Sequence, residues 1–350
     1  SYIFQNGFIG ASLTHFATDY AVPGVEAAAN RTHIDLRQTK FNSKGEFHID
    51  SAFIDTMRFW YGGSYYQHDE RGLAADVDVI NGTFKNREHE ARIEAQLRTL
   101  SFGGLRLQSA LGLQMGQQAL RTGGEAGGLL PPADTSRIAV YLFNELHLTN
   151  RTRLQFAGRI ESVKINGTET TFPAGFLPNG LPLPEAGRSV SFMPVSISAG
   201  LLHDLPGGVV ASLTAQRVQR APTALELFSR GAHDASGTFE IGNANLKVER
   251  ATTLEAGLRK ARGTWRFDAS LFHTRYQGYI SKRLTGTLCG DEFDTCGVGT
   301  DLRQVVFTQR DATFTGAEFT SQLDIGTLGT GMFGLEAQGD TVRARFTDGT

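Results

Sequence analysis

The sequence predicts an all-β protein built as an antiparallel transmembrane β-barrel, and three observations carry that prediction. Segments of alternating polar and apolar residues recur along the chain. The links between them alternate between short and long, and no apolar run reaches the roughly eighteen residues of a membrane-spanning helix. Transmembrane β-strands need only about ten alternating residues each, so the missing helix does not exclude a membrane.

Composition narrows the reading. The chain has 350 residues with 41 Gly and 24 Phe, against 2 Cys and 4 Met. Glycine and aromatic residues over many short, evenly spaced strands point to a barrel or a sandwich. A formal charge of −2 offers no basic footprint for nucleic acid. The chain opens on Ser1 with no signal segment and stops in the turn-like Phe346–Thr350. It is therefore expected to be an internal piece of something longer.

Taken in order, strands are expected near 2–20, 32–47, 57–70, 83–99, 105–118, 136–149, 152–164, 189–203, 208–217, 249–260, 264–281, 304–324 and 331–346. The alternation can be checked residue by residue. Ala91, Ile93, Ala95 and Leu97 share one face, and Glu90, Arg92, Glu94, Gln96 and Arg98 the other. Leu154, Phe156 and Ile160 oppose Arg153, Gln155, Arg159 and Glu161; Val195, Ile197, Ala199 and Leu201 oppose Ser196, Ser198 and Gly200. Trp265, Phe267, Ala269 and Leu271 likewise oppose Arg266, Asp268 and Ser270. Each strand is thus apolar on one side only.

Two architectures share that pattern. A soluble sandwich turns the apolar faces into a core, whereas a membrane barrel turns them to lipid and encloses a polar lumen. Link length decides for the barrel. Short links at 101–104, 149–152, 203–208, 259–263 and 324–331 alternate with long ones at 21–31, 71–82, 116–135, 164–188, 218–248 and 281–303. All the long ones then fall at one end, as in bacterial outer-membrane barrels. Aromatic pairs near strand ends (Phe59-Trp60-Tyr61, Tyr65-Tyr66, Tyr141 with Phe143, Tyr276 with Tyr279) suit interfacial girdles as well as ordinary sheet packing. The stretch from Gln219 to Glu249 is far too long for a hairpin loop and reads as a working surface.

Its sequence, RAPTALELFSRGAHDASGTFEIGNANLKVE at 220–249, also carries a resemblance. Together with GFIGASLTHFATDYAVPG at 7–24, RTHIDLRQTKFNSKGEF at 31–47, FKNREHEARIEAQ at 84–96, FDASLFHTRYQGYI at 267–280 and QRDATFTGAEF at 309–319, it resembles the barrel of a TonB-dependent outer-membrane receptor. Its texture is most similar to the zinc-uptake and metal-chelate branch. The resemblance implies the middle part of a barrel of about 22 strands with a plugged lumen. It also implies a plug carrying a TonB-binding motif and closing strands, none of which this chain contains, so that residues 1–350 read as one partial barrel domain.

Chemistry in such a receptor is binding. His233, Asp234 and Glu240 offer imidazole and carboxylate suited to zinc or a similar ion; the plainer alternative is a loop histidine bonded to its own surroundings. His68 and Glu70 share a strand face beside the loop that adds Asp76 and Asp78, with a solvated acidic rim as the alternative. Cys289 and Cys296, in a chain bound for an oxidising compartment, read as a disulfide; a two-Cys metal site lacks further ligands. Inward charges such as Arg92, Glu94, Arg159, Glu161, Glu255 and Arg259 read as a hydrogen-bonded lumen wall. No Ser/His/Asp or Cys/His constellation assembles, and no enzyme activity is expected.

The expected function is energy-coupled import through the bacterial outer membrane. A zinc ion or metal chelate is the cargo, outer-membrane lipid the surroundings, and the TonB–ExbB–ExbD complex, reached through the plug, the energy source. A siderophore or haem receptor of the same family, a passive porin-like channel and a soluble β-sandwich enzyme or adhesin are the alternatives.

Overall fold

The computed structural model describes residues 1–23, 28–29, 31–124, 129–169, 186–233, 236–290, 296–297 and 302–348. One sheet takes in β1 (Tyr2–Phe4), β2 (Gly7–Ala21), β3 (His33–His48), β4 (Ile54–Ala74), β5 (Val77–Leu97), β6 (Leu100–Phe102), β7 (Leu105–Gly124), β8 (Ala133–His147) and β9 (Thr152–Glu169). It continues with β10 (Ala186–Phe192), β11 (Val195–Leu205), β12 (Val209–Arg220), β13 (Arg230–His233), β14 (Thr238–Ile241), β15 (Glu249–Lys260), β16 (Trp265–Cys289), β17 (Leu302–Leu328) and β18 (Gly331–Phe346). A short helix, α1 (Ala224–Phe228), lies between β12 and β13.

From β2 to β12, and again from β15 to β18, each long strand pairs antiparallel with the next, and β12 pairs with β15. β10 and β11 are one stave in a single register: Phe192 faces Val163 and Val195 faces Ile160. Pro194, which has no N–H to give, marks the break, and its carbonyl still accepts from the Glu161 amide at 3.0 Å. The first expected strand is a hairpin instead: β1 folds back on β2, pairing Phe4 with Gly7.

The two faces separate as a lipid-facing wall requires. Ile93, Ile138, Ile197 and Leu271 are 49, 46, 59 and 64% exposed, although they are the apolar side of their strands. The polar side is the partly covered one. There the Glu94 carboxylate accepts from Arg92 at 2.6 Å and from the Tyr141 hydroxyl at 2.8 Å, while Arg58 bonds Glu46 at 2.7 Å. A sandwich would bury the first face and wet the second. Trp60 and Tyr141, which suited either an interfacial girdle or ordinary sheet packing, lie on this inner side, with Arg92 over both rings.

The sheet is strongly curved. Phe84 of β5, Leu120 of β7, Val163 and Ile165 of β9, Ile280 of β16 and Phe307 of β17 all pack against one cluster centred on Ala224, Leu227 and Phe228 of α1. At about 4.8 Å per strand, a flat sheet would hold β5 and β17 tens of ångströms apart. They meet because segment 220–249 folds inward over the mouth and touches the wall on several sides.

The connections at this end are shorter than expected, because the strands run on beyond the apolar belt. Stretch 71–82 is a hairpin whose turn is Ala75-Asp76, both at positive φ (50° and 65°) as a two-residue turn matched to strand twist requires. β7 runs to Gly124, β9 to Glu169 and β16 to Cys289, each inside a span expected to be loop. Much of 164–188 and parts of 21–31, 116–135 and 281–303 lie outside the described residues.

Candidate functional site

The segment over the mouth is held by its first and last residues. Arg220 donates through Nη1 and Nη2 to the two oxygens of Glu226, at 2.9 and 3.1 Å, and through Nη2 and Nε to Glu249, at 3.1 and 3.3 Å. Glu249 also accepts the Ile280 amide at 2.7 Å. Glu226 closes a capping box as well: its carboxylate takes the Thr223 amide at 2.7 Å while the Thr223 hydroxyl takes the Glu226 amide at 3.3 Å. A five-residue helix is too short to stand alone. The box and the buried Leu227 and Phe228 hold it in place.

Beyond α1, β13 and β14 form a hairpin that brings His233 and Glu240 together. Glu240 is fully buried. Its Oε1 accepts from His233 Nδ1 at 2.7 Å, Lys282 Nζ at 2.5 Å and Thr238 Oγ1 at 3.2 Å. Burial pushes this carboxyl upward, but the His233 and Lys282 hydrogen bonds and charges outweigh it and hold the group at about 2. Its other oxygen, Oε2, is buried with no hydrogen-bond partner. Asp234 lies outside the described residues. β14 then runs parallel to the outer part of β17, Glu240 opposite Val305, on the edge that β18 occupies lower down. Phe239 and Ile241 pack there on Cys289, which is disulfide-bonded to Cys296.

His68 and Glu70 stand elsewhere, on the inner face of β4. His68 Nδ1 is 2.8 Å from the Tyr66 hydroxyl, its ring stacks on Phe84 at 4.5 Å between centroids, and Nε2 is 3.8 Å from Glu70 Oε1. Asp78 is engaged by Arg71, at 3.0 and 2.8 Å. Tyr66, His68, Phe84, Ser64, Gln38 and Leu120 border a cavity of about 460 Å³ on the lumen side. A larger one, about 680 Å³, lies at the short-turn end among Arg259, Arg266, Asp268 and Glu336. It is far from the mouth. Among the described residues, no three His, Cys, Asp or Glu converge as a metal site.

With that geometry in view, the family model described as TonB-dependent receptor-like, β-barrel, matches residues 3–349. The chain belongs to this receptor family. Similar solved structures include the copper transporter OprC, at TM-score 0.69 and 16% identity over 98% of this chain and 51% of that one. The Serratia marcescens haemophore receptor HasR, in complex with its haemophore HasA and haem, matches at 0.67 and 14% over 91% and 51%. The alcaligin outer-membrane receptor FauA from Bordetella pertussis matches at 0.60 and 16% over 99% and 51%. The chain spans about half the length of each.

In this receptor barrel, the candidate residues therefore fall into two separate places. His233 and Glu240 sit in the hairpin over the mouth, and His68 and Glu70 on the wall below the rim. Lys282 was missed by sequence reasoning, because a lysine in a strand carries no sign of a partner 42 positions away. Thr223 and Glu226 were findable, since Thr-x-x-Glu before an apolar pair is a helix-start signature.

Proposed function

We propose that this chain is the wall of a bacterial outer-membrane importer. It binds a scarce metal, carried in a small organic complex, at the outer mouth and passes it inward without making or breaking a bond. Energy arrives from the TonB–ExbB–ExbD complex through a plug belonging to the longer protein. The observation that carries this reading is the cavity beside Tyr66, His68 and Phe84. A stacked aromatic surface with a few polar groups suits an organic ligand better than a bare ion. Haem with its haemophore and alcaligin, named for two of the similar structures, support an organic cargo; copper, named for another, supports a metal cargo alone.

A second reading, a bare zinc ion, is favoured by one feature: Glu240 Oε2 lies buried and unpartnered in the hairpin of His233. Its weakness is Lys282, whose ammonium already neutralises that carboxylate. The two readings separate in one experiment on the purified full-length receptor, measuring retained metal after incubation with zinc chloride or with zinc citrate. The organic-complex reading expects the citrate complex to be retained, with retention falling about tenfold in His68→Ala and unchanged in His233→Ala. Zinc retained equally from the simple salt, and lost in His233→Ala alone, would replace it with the second reading.

A further inference from the structure

The cavity on the lumen side of β3, β4, β5 and β7 has two chemically different ends. Register sets its rows. In the lowest, Lys40 faces Ser64 and Ser64 faces Glu88. One row nearer the mouth, Gln38 faces Tyr66 and Tyr66 faces Asn86; in the uppermost, His68 faces Phe84. The upper end is ring and hydrocarbon: His68 stacks on Phe84, and Leu120 and Leu130 close it beside the cluster around α1. The lower end is polar, with Lys40, Ser64 and Glu88. From Ser64 to His68, extended strand separates the two ends by roughly 13 Å.

Four charged residues border this space, and they are not equally engaged. Lys85 and Arg121 alternate with Phe84, Asn86, Leu120 and Thr122, so their side chains leave toward the other side of the wall. Arg121 is bonded there to Asp134. Glu88 lies on the cavity side and is bonded by Arg137. Lys40 lies on the cavity side too, is exposed, and among the described residues has no carboxylate in ion-pair reach. With Glu88 neutralised and Lys40 not, the lower end carries a positive balance.

We propose that this cavity selects a cargo complex of net negative charge built on a flat ring. The ring lies at the upper end against Phe84 and Leu120, and the anionic group points down to the Lys40 ammonium. An anion gains a charge-assisted hydrogen bond there; a neutral complex of the same shape gains only the apolar contact. The inference deepens the organic-complex reading above and rests on it.

Retention by the purified full-length receptor, measured with zinc dipicolinate and with zinc picolinate, tests it. Both complexes carry the same pyridine ring and the same metal, but the two-ligand complex is dianionic with dipicolinate and neutral with picolinate. The dianionic complex should be retained about tenfold better, the factor expected of one hydrogen bond to a charged group. Lys40→Met should abolish that preference and leave retention of the neutral complex unchanged, while Lys40→Arg should keep it. Lys44→Met, on the same face of β3 but outside the cavity, should change neither. Heat-modifiable gel migration checks that each variant is a folded barrel. Equal retention of the two complexes, or a preference that survives Lys40→Met, overturns the charge selection; loss of both complexes in His68→Ala would still leave the organic-complex reading standing. Zinc retained from zinc chloride and from neither complex overturns that reading, and this inference with it.

Discussion

Arg220 and Glu249 face each other directly across β12 and β15 and are joined by two hydrogen bonds, at 3.1 and 3.3 Å. The pair stands where the chain leaves the wall and where it returns. The segment over the mouth is tethered here, with Glu226 as third member, and again where β14 pairs with β17 and where Lys282 of β16 meets Glu240.

Replacing Arg220 by Ala leaves Glu226 and Glu249 together without their cation, next to a buried cluster. Removing one partner of a buried pair costs about 3–5 kcal/mol. The Arg220 side chain is 40% exposed, so about 2 kcal/mol is the expected cost here. That cost falls on the segment alone. Hydrogen exchange should show amides of 224–242 losing about thirtyfold in protection, with β3 to β8 unchanged. Unchanged protection over 224–242 would mean that packing, not the ion pairs, holds the segment.

The hairpin of His233 and Glu240 should respond to acid. Glu240 is held at about 2 in the folded protein against an ordinary 4.5. A depressed carboxylate contributes stability that is complete above its unfolded value and is lost as pH falls toward the folded one. Protection of the 230–241 amides, corrected for intrinsic exchange, should therefore be level above about pH 4.5 and decline between 4.5 and 2. The loss is on the order of 3 kcal/mol. Glu240→Gln should start lower and stay flat across that range. A decline equally steep in the variant would assign the acid response to other groups.

The wall was legible in the sequence because a period of two survives any tertiary context: Ile93 and Arg92 must point to opposite sides of β5. Where strands leave the membrane, the rule loses its force. Val163 and Ile165 continue the polar face of β9, yet they are buried, because α1 lies on them. Nothing local announces that cover. Stretch 71–82 read as loop because Gly72, Asp76, Asp78, Asn81 and Gly82 look like a link until the Ala75-Asp76 turn is seen. At the site, His233 and Glu240 lie close enough in sequence to be read together. Lys282, which bonds Glu240, comes from β16, 42 positions further along the chain.

Gly242 offers a steric test of how tightly the hairpin sits on α1. A Cβ there would lie 2.6 Å from the Phe228 amide nitrogen and 2.7 Å from the Leu227 carbonyl, backbone atoms that cannot turn aside. Gly242→Ala should separate hairpin from helix at a cost of about 1–3 kcal/mol, read as faster cleavage after Arg230 by trypsin in the assembled receptor. Gly158→Ala, where an added Cβ meets nothing within 4 Å, is the matched control. Cleavage no faster than in the control would show that the contact relaxes without opening.

The disulfide between Cys289 and Cys296 should act on β14 and not on the barrel wall. It closes a seven-residue interval at the top of β16, and Cys289 is fully buried against Phe239 and Ile241. Closing so short a loop stabilises by roughly 2 kcal/mol in the chain-entropy account. Reducing the bond with dithiothreitol removes that constraint while removing no heavy atoms, which makes it a cleaner probe than substitution. Amides of 238–241 and 302–306 should then lose about thirtyfold in hydrogen-exchange protection, because β14 pairs with that part of β17. Residues 312–324, paired with β18 below, should be unaffected. Loss spreading into 312–324 would show that the bond supports the wall, and no loss at 238–241 would show that Phe239 and Ile241 hold β14 unaided.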